Sequence, residues 1–230
     1  MENLIATPEV TSAPPAMPAS GARTPRAAKS PATLPSPACG AAKAASPPSC
    51  NAMSPPKLVG IARLAQSSPR VRERTGVQYF SLPARSALNR ESSGRMPFAW
   101  TLNPYRGCEF GCKYCYARYT HEFMELHDGR EFERKIFAKQ GSPALLRAEL
   151  RRARDRGLPI ALGTATDPYQ PAEKQFQVTR GMLQVFSEFE GLDFSITTKS
   201  TLILRDLDLL VPLARRHRLS VHVTVTTVDA

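Results

Sequence analysis

Apolar and polar positions change their rhythm near residue 97. Beyond it, short apolar runs alternate with stretches of helical period. Residues 98–102 read as a strand. Tyr116, Tyr119 and Phe123 recur at spacings of three and four, a helical stripe. Ser142 followed by Pro143 predicts a helix start, an N-cap and a first-turn proline. Leu145, Leu146, Leu150 and Ala153 supply that helix with an apolar face, and Gly157 ends it. Residues 159–164 form a second short strand. The period then predicts a helix over 172–189, with Phe176, Met182, Val185, Phe186 and Phe189 inward and Gly191 as its stop. A third strand covers 194–198, a helix bent at Pro212 covers 204–216, and a fourth strand covers 220–227. Strands alternating with helices predict an α/β fold of parallel βαβ units with right-handed connections. Ligands in such sheets gather at the C-terminal ends of the strands.

Upstream the composition differs. Residues 1–75 are dominated by Ala, Pro, Ser and Thr and hold few large apolar side chains. Such a segment cannot bury enough surface to offset its ordering entropy, so it reads as a disordered tail. Residues 76–96 then form a linker, and 97–230 the core domain. Met53 is an alternative start, and a transit peptide is a weaker reading, because the segment shows no amphipathic period and no apolar signal core. The net charge is +11, but the tail carries nine Lys/Arg against three Asp/Glu, leaving 22 against 17 for the rest. A folded part at +5 supports a nucleic-acid partner only slightly. No run is long enough to span a membrane.

Three cysteines carry the chemistry. Cys108, Cys112 and Cys115 stand as C-x3-C-x2-C in the run from Asn103 to Arg118, with Tyr114 just before the last. Three thiolates so close can hold three irons of a cubane cluster. Most cubanes take four cysteines; none follows nearby, which leaves one iron open to another ligand. Gly107 and Gly111 let the loop fold tightly. The competing reading is a structural zinc site completed by His121 as Cys3His. A disulfide fits poorly, since three clustered cysteines cannot pair among themselves. Cys39 and Cys50 sit in low-complexity sequence and read as incidental.

Polar residues collect where the strands end. Alternation puts Thr164 and Thr166 on one face, and Thr197 with Lys199 on one face of the third strand. On the fourth, His222, Thr224 and Thr226 alternate with Val221, Val223 and Val225. The expected arrangement has the valines against outer helices and the polar set lining a ligand chamber, because a fully buried parallel strand is ordinarily apolar on both faces. His222 reads more simply as a core or surface histidine. The runs Arg215–Arg218 and Arg151–Arg154 read as solvated helix ends.

The cysteine run, Asn-Pro-Tyr-Arg-Gly-Cys followed by Cys-x-Tyr-Cys-Tyr-Ala-Arg, resembles the signature of the radical S-adenosylmethionine (radical SAM) superfamily, and within it the DNA repair photolyase-like branch related to spore photolyase. The resemblance covers about residues 80–230. It implies a partial (β/α) barrel, a [4Fe-4S] cluster on Cys108, Cys112 and Cys115, and S-adenosylmethionine on the open iron. It implies that an electron splits the sulfonium and that the resulting 5′-deoxyadenosyl radical takes hydrogen from a substrate, in a lyase-like reaction on a nucleic acid. The hard chemistry in such proteins belongs to the cofactors. By the same resemblance Tyr114 contacts the adenine side, Thr166 and Asp167 help bind the cofactor, and Lys199, in a Thr198-Lys199 pair, meets its carboxylate. Plainer roles stand beside these: Asp167-Pro168 as a turn start, Thr166 as a solvated strand end, Lys199 as an exposed cation. The implied partner is a reductant such as flavodoxin or ferredoxin, and the expected location is the cytoplasm.

Two features depart from that pattern. Thr164 stands where spore photolyase has a hydrogen-donating cysteine, and a threonine hydroxyl donates hydrogen atoms poorly. The superfamily's partial barrel has six strands, whereas only the front four are expected here, so the chain is read as truncated at its C-terminus. The alternative functions are a zinc-stabilised nucleic-acid-binding module and a non-catalytic fragment.

Overall fold

The computed structural model describes residues 58–152 and 157–226, all within one unit of contacts, Ser54–Ala230. The expected tail up to residue 57, with Cys39, Cys50 and Met53, lies outside the described residues, as do Ala153, Arg154 and Thr227.

Residues 58–96, expected to be the end of a tail and a linker, are folded. They form α1 (Gly60–Ser67), β1 (Arg70–Arg74), β2 (Val77–Ser81) and β3 (Leu88–Arg90). Low hydrophobicity misled the reading, because alanines pack closely without bulk. Ala62 and Ala65 are buried in α1, while Ile61 and Leu64 pack around Leu82, Met124 and Phe137. Between β1 and β2 the chain reverses over Thr75 and Gly76, both at positive φ (41° and 79°), the signature of a tight two-residue hairpin.

The chain continues through β4 (Trp100–Leu102), β5 (Tyr105–Arg106), a 3-10 helix (Tyr116–Met124), α2 (Glu131–Arg134), β6 (Lys135–Ala138) and α3 (Ser142–Arg152). After these come β7 (Ile160–Leu162), α4 (Glu173–Phe176), α5 (Val178–Phe186), β8 (Asp193–Thr198), a second 3-10 helix (Thr201–Asp206), α6 (Leu207–Arg216) and β9 (Arg218–Val223). The architecture is mixed α/β. One sheet has the order β3-β4-β7-β8-β9, in which β4, β7, β8 and β9 are parallel and β3 is an antiparallel edge. The four parallel strands are those expected from the apolar runs. A second sheet, β1-β2-β6-β5, has no counterpart in the sequence reading.

Register explains where the site falls. Leu102 pairs with Leu162, Leu162 with Ile196 and Ile196 with Val221, so residues 103, 163, 197 and 222 lie at one level, where β4 and β7 end while β8 and β9 run on to Thr198 and Val223. Beneath that level lies the core: β7 is buried along its whole length, and Phe194 packs on Phe186 of α5 at 4.5 Å between ring centroids. Each such side chain contributes roughly 1.5–3 kcal/mol through burial.

Several elements differ from expectation for identifiable reasons. The stripe Tyr116, Tyr119 and Phe123 faces outward, at 70%, 49% and 58% exposure, and the residues turned inward are Ala117, His121 and Met124. Periodicity found the helix and chose the wrong face. The helix expected over 172–189 breaks at Gln177, whose φ is 49°. Ser142 does not cap α3 through its hydroxyl, which instead donates to the Lys139 carbonyl. Val221 and Val223 of β9, and Val225 just past it, are 42%, 62% and 69% exposed rather than packed against outer helices; β9 is the edge strand of its sheet. His217, expected to be solvated, is buried and accepts a hydrogen bond from the Leu192 amide through Nδ1. Among the described residues no helix is long and apolar enough to cross a membrane.

Candidate functional site

The loop that follows β4 is held from outside its cysteines. Asn103, the first residue past the strand, accepts the Ala165 amide on Oδ1 at 2.8 Å and donates from Nδ2 to Thr164 Oγ1 at 3.0 Å. This side chain joins the ends of β4 and β7. Buried Gln170 spans the loop, donating to the Gly107 carbonyl and accepting the Glu109 amide. Cys108 donates its amide to the Phe132 carbonyl at 2.8 Å. Arg118 pairs with Glu133 and donates to the Cys112 carbonyl. Asn103, Gln170 and Arg118 carried no special signal in the sequence beyond the first and last lying in the cysteine run.

Gly107 has φ +78°, and a Cβ there would stand 2.6 Å from the Lys135 carbonyl oxygen and 2.9 Å from that of Phe132. Both obstacles are backbone. At Gly111, φ +58°, the obstacle is only the Glu133 carboxylate, the far end of a side chain. Gly107→Ala is therefore expected to cost about 3 kcal/mol or more from left-handed strain and collision, and Gly111→Ala clearly less. Thermal unfolding of the two variants, with iron retained after anaerobic reconstitution, checks the order.

The seven residues to which the resemblance gives a role, Cys108, Cys112, Cys115, Tyr114, Thr166, Asp167 and Lys199, line one cavity of about 190 Å³, with Thr164, Thr198 and Thr224 also on its wall; His222 and Thr226, expected beside Thr224, are exposed and do not line it. It lies at the C-terminal ends of the parallel strands. The three cysteines are free; Cys108 is buried, and burial raises its thiol to about 12. A bound iron overrides such a rise, because coordination deprotonates the thiol outright. Lys199 Nζ stands 2.9 Å from Cys112 Sγ and 3.1 Å from Tyr114 Oη, and these contacts raise its pKa, Cys112 foremost. Lys199 is thus neither a free surface cation nor distant from the thiols.

Asp167 does more than open a turn. Its Oδ1 accepts from the Thr198 hydroxyl (2.6 Å) and the Tyr169 amide (2.8 Å), and its Oδ2 from the Lys199 amide (2.8 Å). Burial raises its pKa against the pull of those bonds. The carboxylate staples the loop after β7 to the end of β8 and so places Lys199. Thr166 is buried, with its hydroxyl on the Tyr105 carbonyl at 3.5 Å. Tyr114 is 69% exposed at the mouth.

His121 is absent from that wall. It packs behind the loop against Phe132 and Phe137, with Nε2 3.2 Å from the Lys135 carbonyl, and burial lowers its pKa to about 4. The Cys3His arrangement considered from sequence is not assembled. Among the described residues no three His, Cys, Asp or Glu side chains converge as a single-ion site requires. Three cysteines on separate corners of a cubane need to surround a cluster rather than a point. An all-sulfur donor set on one wall of a cavity, beside a cation and several hydroxyls, fits such a cluster with an organic ligand next to it.

A family model described as the Radical SAM superfamily matches residues 102–230. An uncharacterized protein of Mycobacterium tuberculosis is 37% identical over 174 residues, covering 75% of this chain and 51% of its own length. A counterpart in Mycobacterium bovis matches equally. An uncharacterized protein of Methanocaldococcus jannaschii is 32% identical over 134 residues, 58% of this chain and 47% of its own. The chain spans about half the length of the curated relatives it matches. No solved structure matches it.

Proposed function

The chain belongs to the radical SAM superfamily, and from that membership we propose that it holds a [4Fe-4S] cluster on Cys108, Cys112 and Cys115 and S-adenosylmethionine in the adjoining cavity. When bound, these supply reductive cleavage of the sulfonium and a 5′-deoxyadenosyl radical for hydrogen abstraction. The observation that carries the reading is the gathering of the three thiols and the strand-end polar residues around one cavity.

The chain's own residues bind and orient. Lys199, placed by Asp167, offers an ammonium to the carboxylate of S-adenosylmethionine. Thr166 and Thr198 shape the wall, and Tyr114, exposed at the mouth, is assigned to the adenine side by the motif's likeness to the superfamily. The apolar walls reduce water contact. The four parallel strands are read as the leading part of a (β/α) barrel. The substrate is read as a nucleic acid, on the motif's likeness to the photolyase-like branch. Thr164, hydrogen-bonded to Asn103, makes return of a hydrogen atom from this position unsuited to the chain, so the reaction differs from that of spore photolyase in its closing step. The electron comes from a flavodoxin- or ferredoxin-like reductant.

Anaerobic reconstitution with iron and sulfide is expected to give a brown protein with about four irons and four sulfides per chain. Reduction with S-adenosylmethionine present then releases 5′-deoxyadenosine. A colourless protein holding one zinc and no sulfide would overturn the reading in favour of a zinc module; a full cluster that never cleaves S-adenosylmethionine would reduce it to cluster binding alone.

A further inference from the structure

A second cavity, also of about 190 Å³, shares no lining residue with the cysteine cavity. Its polar lining is Arg85, Ser86, Asn89, Arg106 and Lys139, and its apolar wall comes from α1 and from residues 82–84 after β2. No lining residue is acidic. Lys139 is only 8% exposed, and its ammonium, with three hydrogens to donate, has one partner among the described residues, the Asn103 carbonyl at 2.8 Å. Arg106 makes no side-chain hydrogen bond or ion pair among the described residues, and its Nε is buried without a partner. Burial, with Arg106 nearby, lowers Lys139 to about 7.

A buried ammonium beside a half-buried guanidinium, with no counter-charge on either, is a costly arrangement. Elsewhere the fold pairs its interior arginines closely: Arg180 and Arg205 both reach the buried Asp206. The basic cavity stands apart from that practice. We infer that it is a binding site for a phosphoryl group, seated between Arg106 and Lys139 with Arg85 at the rim. A phosphoryl dianion brings several strong acceptor oxygens and the matching charge, and the guanidinium fork suits it. Ser86 and Asn89 supply further donors. The site is separate from the cysteine cavity, but Asn103 touches both, through its carbonyl on Lys139 and its side chain on Thr164 and Ala165.

The test is thermal unfolding of the full chain, reconstituted without oxygen and free of S-adenosylmethionine, with inorganic phosphate titrated against sodium chloride at equal ionic strength. Phosphate is expected to raise the midpoint saturably, by about 5 °C or more at a hundredfold excess over Kd. Lys139→Met is expected to weaken that response at least about tenfold. Arg85→Ala, at an exposed position where folding is not at risk, should weaken it several-fold. Adenosine 5′-monophosphate against adenosine separates the sources once phosphate responds: an added response to the nucleotide but not to adenosine indicates a phosphate ester, and a response to phosphate without one to the nucleotide indicates the free ion. A phosphate response no larger than that to chloride, or one that both substitutions leave intact, overturns the inference. Because no cofactor cleavage is read, failure here is distinct from failure of the radical SAM reading.

Discussion

Cys112→Ala is expected to reduce 5′-deoxyadenosine release to background while leaving the fold in place. Cys112 is half-buried, and the loop around it is fixed by groups other than its sulfur: the Arg118 bond to its carbonyl, and the Gln170 bonds to Gly107 and Glu109. Removing the thiol takes away one of the three proposed iron ligands and the sulfur that faces Lys199 at 2.9 Å. Two thiols cannot hold three corners of a cubane. Iron and sulfide should fall well below four per chain, while far-ultraviolet circular dichroism matches the parent. Retention of full cleavage by this variant would remove Cys112 from the ligand set.

The second large effect is on stability. Glu173 opens α4 with its side chain fully buried. It accepts from the Tyr105 hydroxyl, the Thr179 and Arg180 amides at 3.0 and 3.1 Å, and Arg205 at 2.9 Å. Arg205 also binds Asp206, which is fully buried and paired with Arg180. One carboxylate thus ties β5, just before the cysteine loop, to the start of α5 and to the second 3-10 helix. Glu173→Ala leaves two amides, a phenol and a guanidinium short of their acceptor. Breaking a buried pair from one side costs about 3–5 kcal/mol, so a fall of about 10 °C in the unfolding midpoint is expected. Calorimetry of parent and variant at neutral pH measures it. A loss of about 2 °C or less would show that water or neighbouring groups replace the carboxylate.

The contrast between these two residues shows what could be read in advance. Cys112 announces itself through spacing, whereas Glu173 is an ordinary glutamate in a polar stretch, and its partners lie 68, 6, 7 and 32 residues away. The parallel strands were legible because each is a short apolar run between turn signals, and β7 is buried throughout. The sheet β1-β2-β6-β5 was not, because β5 has two residues and β6 four, too few to show a period. Tyr116, Tyr119 and Phe123 misled because an aromatic stripe beside a cavity can face solvent as readily as core. The cavity-lining residues were legible in outline, through alternation and likeness to a family. Asn103, Gln170 and the staple made by Asp167 required the register of four strands to be known.

The way the cysteine loop is braced carries a last consequence. Gln170, Asn103, Arg118 and the tight turn at Gly107 hold its backbone by bonds that do not pass through sulfur. In zinc fingers, by contrast, metal binding and folding are one event. If the proposed cluster is held here, the mould is expected to outlast its casting: a polypeptide stripped by oxygen should keep its shape, and restoring it should call for fresh inorganic parts, not a newly synthesised chain.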